Sequence, residues 1–400
     1  MPSYLNVLGV ICALGADKQA VADALFAGDA HGMQAQPGWV AERALTVGAV
    51  SAALPAMPPG LEAAHSRNNQ LLLAAALQIE APIRAAIARY GAARVGVVLG
   101  TSTSGIHEAS QSIAAWQRDG QLPADYHYAQ QEMSAPATFL SGWLQLGGPS
   151  YCLSTACTSS ARALLSAHRL LQQDLCDAVL VGGVDSLCRL TLNGFSALEA
   201  VAAERCNPFS ANRRGINIGE AAALFLMTRE PTDDGCTPIA LLGGGASSDA
   251  HHISAPQPEG LGAQAAMQRA LASAGISAAQ IDYLNLHGTA TAHNDAMESL
   301  AVAALFPAGV PCSSTKPLSG HTLGAAGVLE AAFCWLTLSP YNADRRLPPH
   351  LWDGVAEAAL PHLDLVAPGR RLAKSSGHRL MSNSFAFGGS NLSLILGDLP

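Results

Sequence analysis

The sequence predicts an α/β protein whose strands are mostly buried and whose chain is built as two related halves. Three observations carry this. Short β-rich apolar runs, such as Val95 to Leu99, Ala178 to Val181 and Tyr283 to Leu286, give way to Gly, Ser and Thr turns and then to Ala/Leu-rich stretches. Of the 400 residues 49% are hydrophobic and 13% charged, so a large core can be buried. The order of turn motifs also repeats. A strand runs into Gly100-Thr101-Ser102-Thr103 and a later one into Ser154-Thr155-Ala156-Cys157, just as later strands run into Gly288-Thr289-Ala290-Thr291 and Ser314-Thr315-Lys316.

The polar turn from Pro231 to Pro238, holding Asp233, Asp234 and Gly235, divides the chain into halves 1–235 and 236–400. The spacing of the repeat is unequal. Thr101 and Thr155 are 54 positions apart, Thr289 and Thr315 only 26, which reads as a duplication with an insertion in the first half. Chance likeness of short Gly/Thr turns is the competing reading.

With 22 Lys plus Arg against 30 Asp plus Glu the chain has no global basic field, which argues against a nucleic-acid partner. Only three lysines occur, Lys18, Lys316 and Lys374. Nine cysteines are scattered without a CxxC pair, and nothing basic precedes Lys18 to make a signal sequence of Leu5 to Leu14. A reduced, cytoplasmic setting is expected. The most apolar stretch, Leu323 to Leu338, is broken by Glu330, Gly324 and Gly327, so it reads as a buried helix and not a membrane span.

Cys157 sits between a strand and a helix whose apolar positions recur at Ala161, Leu164, Leu165 and Ala167. Free N–H groups and the positive dipole end at a helix start favour a thiolate, the reactive form. An Ala-flanked cysteine is equally a small core residue, as Cys152, Cys176, Cys188 and Cys334 are read. His287 closes a strand ahead of the hydroxyls Thr289 and Thr291, where it can face a pocket, whereas His293 reads as a loop residue. Lys316 and His321 stand five positions apart before an apolar helix containing Glu330. A lysine there needs a counter-charge, and Glu330 is the nearest in sequence; a purely structural ion pair and a catalytic one are both open. Phe385-Ala386-Phe387-Gly388-Gly389 joins two apolar runs, as a hairpin or as a backbone turn that brings amides to a ligand. No Cys/His pair has zinc-motif spacing, so no metal is expected.

Taken together, Thr-Ala-Cys-Thr-Ser-Ser at 155–160, His-Gly-Thr-Ala-Thr at 287–291, Lys-Pro-Leu-Ser-Gly-His at 316–321 and Asn-Ser-Phe-Ala-Phe-Gly-Gly at 383–389 resemble the β-ketoacyl-[acyl carrier protein] synthases, in the elongating Cys-His-His class. The resemblance implies a thiolase-like fold, with duplicated halves in a five-layer α-β-α-β-α arrangement, and a dimer to which the insertion contributes. It implies a decarboxylative Claisen condensation. Cys157 would take the acyl group, His287 and His321 would promote decarboxylation of the malonyl carrier, and Lys316 with Glu330 would order the site. The backbone N–H groups of Cys157 and Phe387 would form an oxyanion hole beside a gate of Phe385 and Gly388, while Thr289 and Thr291 would hold pantetheine. No cofactor is implied beyond the phosphopantetheine that arrives on the acyl carrier protein. Arg67, Arg118, Arg205 and Arg213 are candidate docking residues for that acidic carrier.

Some positions depart from the family pattern. Pro317 follows the lysine where Ser or Thr is commoner, Ala386 replaces a gate glycine, and Thr103 replaces a larger apolar residue expected to line the acyl pocket opposite Phe195. A longer, unsaturated or aromatic acyl chain would then fit, as in aryl polyene pathways, with fatty acid synthesis as the other reading. A degradative thiolase is disfavoured because no cysteine follows Cys334, and the Asn-containing initiating and chalcone-type enzymes because His321 is present. A cysteine hydrolase leaves Lys316 and the threonines without a purpose. A chain-length-factor-like subunit usually lacks the nucleophile that Cys157 supplies; homodimer and heterodimer with a related subunit both remain.

Overall fold

A computed structural model describes residues 2–232, 235–373 and 376–399. The linker turn expected at Asp233 and Asp234, and Lys374, fall outside the described residues. The first half contains β1 (Ser3–Cys12), α1 (Lys18–Ala27), β2 (Met33–Val40), β3 (Arg43–Gly48), α2 (Arg67–Leu77), α3 (Glu80–Tyr90) and β4 (Val95–Gly100). It continues with α4 (Ile106–Asp119), α5 (Ala135–Leu144), β5 (Ser150–Leu153), α6 (Ser159–Gln172), β6 (Ala178–Asp185), α7 (Arg189–Ala197) and β7 (Ala221–Thr228). The second half contains β8 (Ile239–Ser248), α8 (Leu261–Ala274), β9 (Tyr283–Asn285), α9 (Ala292–Leu305) and β10 (Cys312–Ser313). It closes with α10 (Lys316–Ser319), α11 (Ala326–Leu338), β11 (Arg379–Phe385) and β12 (Ser390–Asp398).

The strand order β5-β4-β6-β7-β1 of the first half is repeated as β10-β9-β11-β12-β8 in the second. In each half the two outermost pairings are parallel and the remaining two antiparallel, so the duplication seen in the turn motifs is a duplication of topology. The halves meet along a short antiparallel pairing of Ser3 and Tyr4 with Leu241 and Ala240. Helices α6 and α11 pack against each other and against strands of both halves, α2 and α5 cover the outer face of the first half, and α8 covers the outer face of the second. This is the five-layer arrangement.

Burial explains the composition of the parts. All eight residues of β6 and all eight of β7 are buried, as strands covered on both faces require. Helix α11 is apolar except at Glu330 and Thr337 and is buried on every side, as expected of a core helix within Leu323 to Leu338. Among the described residues no single helix is long and apolar enough to cross a membrane. Gly183 lets α6 approach β6, since a Cβ there would stand 2.6 Å from Ser160 Cβ. The inserted segment between Thr101 and Thr155 forms α4, α5 and their connection, with Ile113, Trp116, Leu122 and Tyr128 left exposed.

Candidate active site

Four strand ends converge on one cavity of about 720 Å³ whose lining includes Cys157, His287, Thr289, Thr291, His321 and Phe387. Each side chain reaches it by a local device. After β5 the backbone turns through Ala156, at φ +52° in the left-handed region, and so sets Cys157 just before α6. After β9, His287 and Gly288 donate their backbone N–H groups to the buried Glu298 carboxylate of α9 at 2.8 and 2.7 Å, which shapes the turn carrying Thr289 and Thr291. Asn383 of β11 donates to the same carboxylate at 3.3 Å. Glu298 was not singled out in the sequence, although a carboxylate four and seven residues before Val302 and Leu305, and so on their helix face, is a readable sign of a buried partner. His321 is held by its own backbone, its N–H donating to Asn217 at 2.7 Å and its carbonyl accepting from Gly219 at 3.0 Å.

Cys157 Sγ and His321 Nε2 are 3.0 Å apart. The His287 ring stands edge-on to the His321 ring, centroids 5.3 Å apart. Lys316, buried in α10, donates to the His287 carbonyl oxygen and to Glu330, and its Nζ lies 3.5 Å from His287 Nδ1. An ammonium has only protons to offer, so Nδ1 accepts and the His287 proton sits on Nε2.

Burial lowers the pKa of both histidines well below the usual imidazole value, and the Lys316 charge adds to the effect, so both rings are neutral at pH 7. Burial pushes the Glu330 carboxyl up to about 7 against the pull of Lys316. For Cys157 the expectation of a thiolate is corrected. Burial pushes the thiol up to about 12, and although Lys316 and backbone groups of Phe387 and Cys157 pull it down, desolvation dominates. A neutral thiol–imidazole pair is the resting state. The backbone groups that lower it, those of Phe387 and Cys157, are the pair to which the family resemblance assigns an oxyanion hole.

Thr103 is a second correction. Its hydroxyl donates to Asp185 at 2.8 Å, and it is absent from the lining of the cavity at Cys157. A hydroxyl beside a buried carboxylate makes that bond in preference to facing an apolar pocket. Phe195 does line the cavity, 5.6 Å from the Phe387 ring, and Phe385 stands 6.1 Å from His287. The Phe385–Gly389 segment is both things the sequence allowed, the turn of the β11–β12 hairpin and a wall of the cavity. Gly388, at φ +87°, donates to the Ile253 carbonyl at 2.9 Å, so the turn rests on the neighbouring loop. Thr289 and Thr291 hydroxyls are 3.1 Å apart on the same wall.

The candidate docking arginines fare unevenly. Arg213 lines the same cavity as Cys157, as expected of a residue near its mouth, but is nearly buried and paired with Glu357, while Arg67 is bound to the buried Glu220. Arg118 pairs with Asp119 on α4, and Arg205 lines a separate cavity with Trp352 and His362. The rim residues the sequence reading missed are Arg214, His252 and His293, the last in the first turn of α9 and not in a loop. Neighbouring basic side chains around a cavity mouth become visible only once the strands are placed.

The ligand atoms of Cys157, His287 and His321 lie within 4.8 Å of one another, close enough to hold a soft cation. The Lys316 ammonium beside them opposes one.

Residues 46–232 match the family described as "Beta-ketoacyl synthase, N-terminal domain" and residues 240–351 its C-terminal domain. The chain is 37% identical over 268 residues to 3-oxoacyl-[acyl-carrier-protein] synthase 2 of Rhizobium meliloti, an alignment covering 63% of this chain and 61% of that one. It is 33% identical over 312 residues to nodulation protein E of the same organism, covering 75% and 74%. Among solved structures, the ketosynthase ApeO, in complex with its chain length factor ApeC, from Xenorhabdus doucetiae superposes with a TM-score of 0.93 at 47% identity, covering 100% of this chain and 98% of that one. A β-ketoacyl synthase from Burkholderia phymatum superposes at 0.87 with 27% identity over the full length of both.

Proposed function

The chain belongs to the β-ketoacyl synthase family, and from that membership we propose that it elongates carrier-bound acyl groups by decarboxylative Claisen condensation with malonyl-[acyl carrier protein]. The observation that carries this is the convergence of Cys157, His321, His287 and Lys316 on one cavity, with Sγ and Nε2 at 3.0 Å.

In the first step the Cys157 sulfur attacks the thioester carbonyl of the acyl carrier. His321 Nε2 takes the thiol proton and returns it to the departing carrier thiol, so that the ring ends neutral. The negative oxygen formed meanwhile is met by the backbone N–H groups of Cys157 and Phe387. In the second step the malonyl thioester oxygen is held by His287 Nε2–H, whose tautomer Lys316 fixes, and by His321, which once released from the thiol shifts its one ring proton from Nδ1, where it has no partner among the described residues, to Nε2. The bond between the carboxylate carbon and the α-carbon breaks, carbon dioxide leaves, and the electron pair enters the enolate. Neutral donors in a dry site favour that charge and do not protonate the carbanion. The α-carbon then attacks the acyl carbonyl, the C–S bond breaks, its electrons return to the Cys157 sulfur, and one proton taken up from solvent restores the thiol. Phosphopantetheine arrives on the carrier, its amides reaching Thr289 and Thr291, and no other cofactor takes part. Arg214, His252 and His293 at the mouth suit the phosphate and the acidic carrier surface.

The acyl group is aryl-unsaturated in our reading, with saturated fatty acyl chains as the alternative. Thr103 no longer supports this, but the Phe195–Phe387 pair and Phe385 offer aromatic faces to a flat conjugated chain. A chain-length-factor subunit is the proposed partner, supported by the assembly in which the 47% identical ketosynthase was solved. The test is to supply malonyl carrier with saturated or aryl-unsaturated acyl carrier, with and without such a subunit. A β-ketoacyl product two carbons longer, with release of carbon dioxide, supports the reading. No product from any combination overturns it, and product from saturated chains alone overturns the aryl assignment.

A further inference from the structure

Asp185, the last residue of β6, is wholly buried and accepts five hydrogen bonds. Its Oδ1 takes the Thr101 hydroxyl at 2.7 Å, the Ser102 N–H at 2.7 Å, and the Thr103 N–H and hydroxyl, each at 2.8 Å. All of these belong to the loop after β4. Its Oδ2 takes the backbone N–H of Gly324 at 2.6 Å, from the other half of the chain. Gly324 lies three residues beyond His321, past Leu323, whose φ of +52° is a left-handed conformation that needs outside support. No side chain fits at position 324, because a Cβ would stand 2.7 Å from both Asp185 Oδ2 and Ser102 Oγ.

His321 is therefore anchored from two directions. Asn217 and Gly219 hold its own backbone, and Asp185 holds the turn that follows it. We propose that Asp185 is a positioning residue, which fixes the His321 imidazole against Cys157 by tying the turn after His321 to the loop after β4. The carboxylate is needed because it is an acceptor on both oxygens. An amide of the same shape must present its NH₂ either to the four donors at Oδ1 or to the Gly324 N–H, so one group of buried donors faces another donor. Whichever way the amide turns, the halves lose part of the clamp between them.

The inference rests on the proposed condensing activity only for its kinetic readout, and a second readout is free of it. In Asp185→Asn, the kcat for malonyl-carrier decarboxylation falls at least tenfold while KM stays within threefold, since the cavity mouth is untouched. Alkylation of Cys157 by iodoacetamide at pH 7 slows at least tenfold, to the rate of His321→Ala, because the ring no longer takes the thiol proton. Thr101→Val removes one donor from Oδ1 and leaves Gly324 bound, so it lowers the unfolding temperature but moves neither rate by more than twofold. If Asp185→Asn does not fold, Gly324→Ala perturbs the same contact from the other side and is expected to slow alkylation as much. Wild-type rates in Asp185→Asn, or an equal loss in Thr101→Val, overturn the assignment. A wild type that alkylates as described but never decarboxylates malonyl carrier refutes the proposed activity, and Asp185 is then judged on alkylation alone.

Discussion

Lys316 Nζ stands 3.5 Å from His287 Nδ1 while also donating to the His287 carbonyl oxygen and to Glu330. One ammonium thus fixes a ring tautomer, a turn and a buried carboxylate together. The consequence for catalysis is that His287 presents Nε2–H, a hydrogen-bond donor, to the cavity.

That arrangement separates stability from activity. Lys316→Ala leaves Glu330 buried without its partner and is expected to cost roughly 3–5 kcal/mol in urea unfolding. Lys316→Met combined with Glu330→Leu restores most of that stability, because two apolar groups of similar volume replace the pair. It does not restore the tautomer of His287, so decarboxylation stays about 10²-fold down. Recovery of both properties in the double variant would show that Lys316 acts only as an ion pair.

The two histidines are expected to differ. His287→Ala removes a donor to the enolate but leaves the thiol pair intact, so decarboxylation drops about 10²–10³-fold while acylation of Cys157 persists. His321→Ala impairs both steps, since its ring touches the sulfur. Parallel single-turnover assays of acylation and decarboxylation check this, and equal losses in both variants would contradict the division of roles.

The pH dependence follows from the direction of the thiol shift. Burial stabilises the neutral thiol relative to the thiolate, so the Cys157 pKa lies above the ordinary thiol range, at about 12. The thiolate fraction therefore keeps growing as pH rises through 9, and iodoacetamide alkylation, nearly flat at pH 6 to 7 where proton transfer to His321 carries it, is expected to climb toward pH 9 without levelling off. A plateau with a midpoint near pH 6 would instead indicate a thiolate–imidazolium pair.

Much of this site was legible in the sequence for a physical reason. Its residues sit in short turns at strand ends, where Gly, Ser and Thr cluster, which made Cys157, His287, Lys316 and His321 candidates, and the resemblance of the four motifs to the β-ketoacyl synthases singled them out. The Lys316–Glu330 pair was also legible, because a lone lysine ahead of an apolar helix has few possible partners. What was not legible depends on contacts far along the chain. Arg213 is taken up by Glu357 and Arg67 by Glu220, partners 144 and 153 residues away. Thr103 turns to Asp185, 82 residues on, and the high pKa of Cys157 reflects burial beneath both halves at once. A helix start alone pointed the other way.

The central claim, that Cys157 carries the acyl group, is tested most directly by intact mass after incubation with saturated and aryl-unsaturated acyl carriers, wild type beside Cys157→Ala. The expected result is a mass increase equal to the acyl group in the wild type and none in the variant. An adduct of the same mass that survives in Cys157→Ala, or no adduct in the wild type with either carrier, would contradict it.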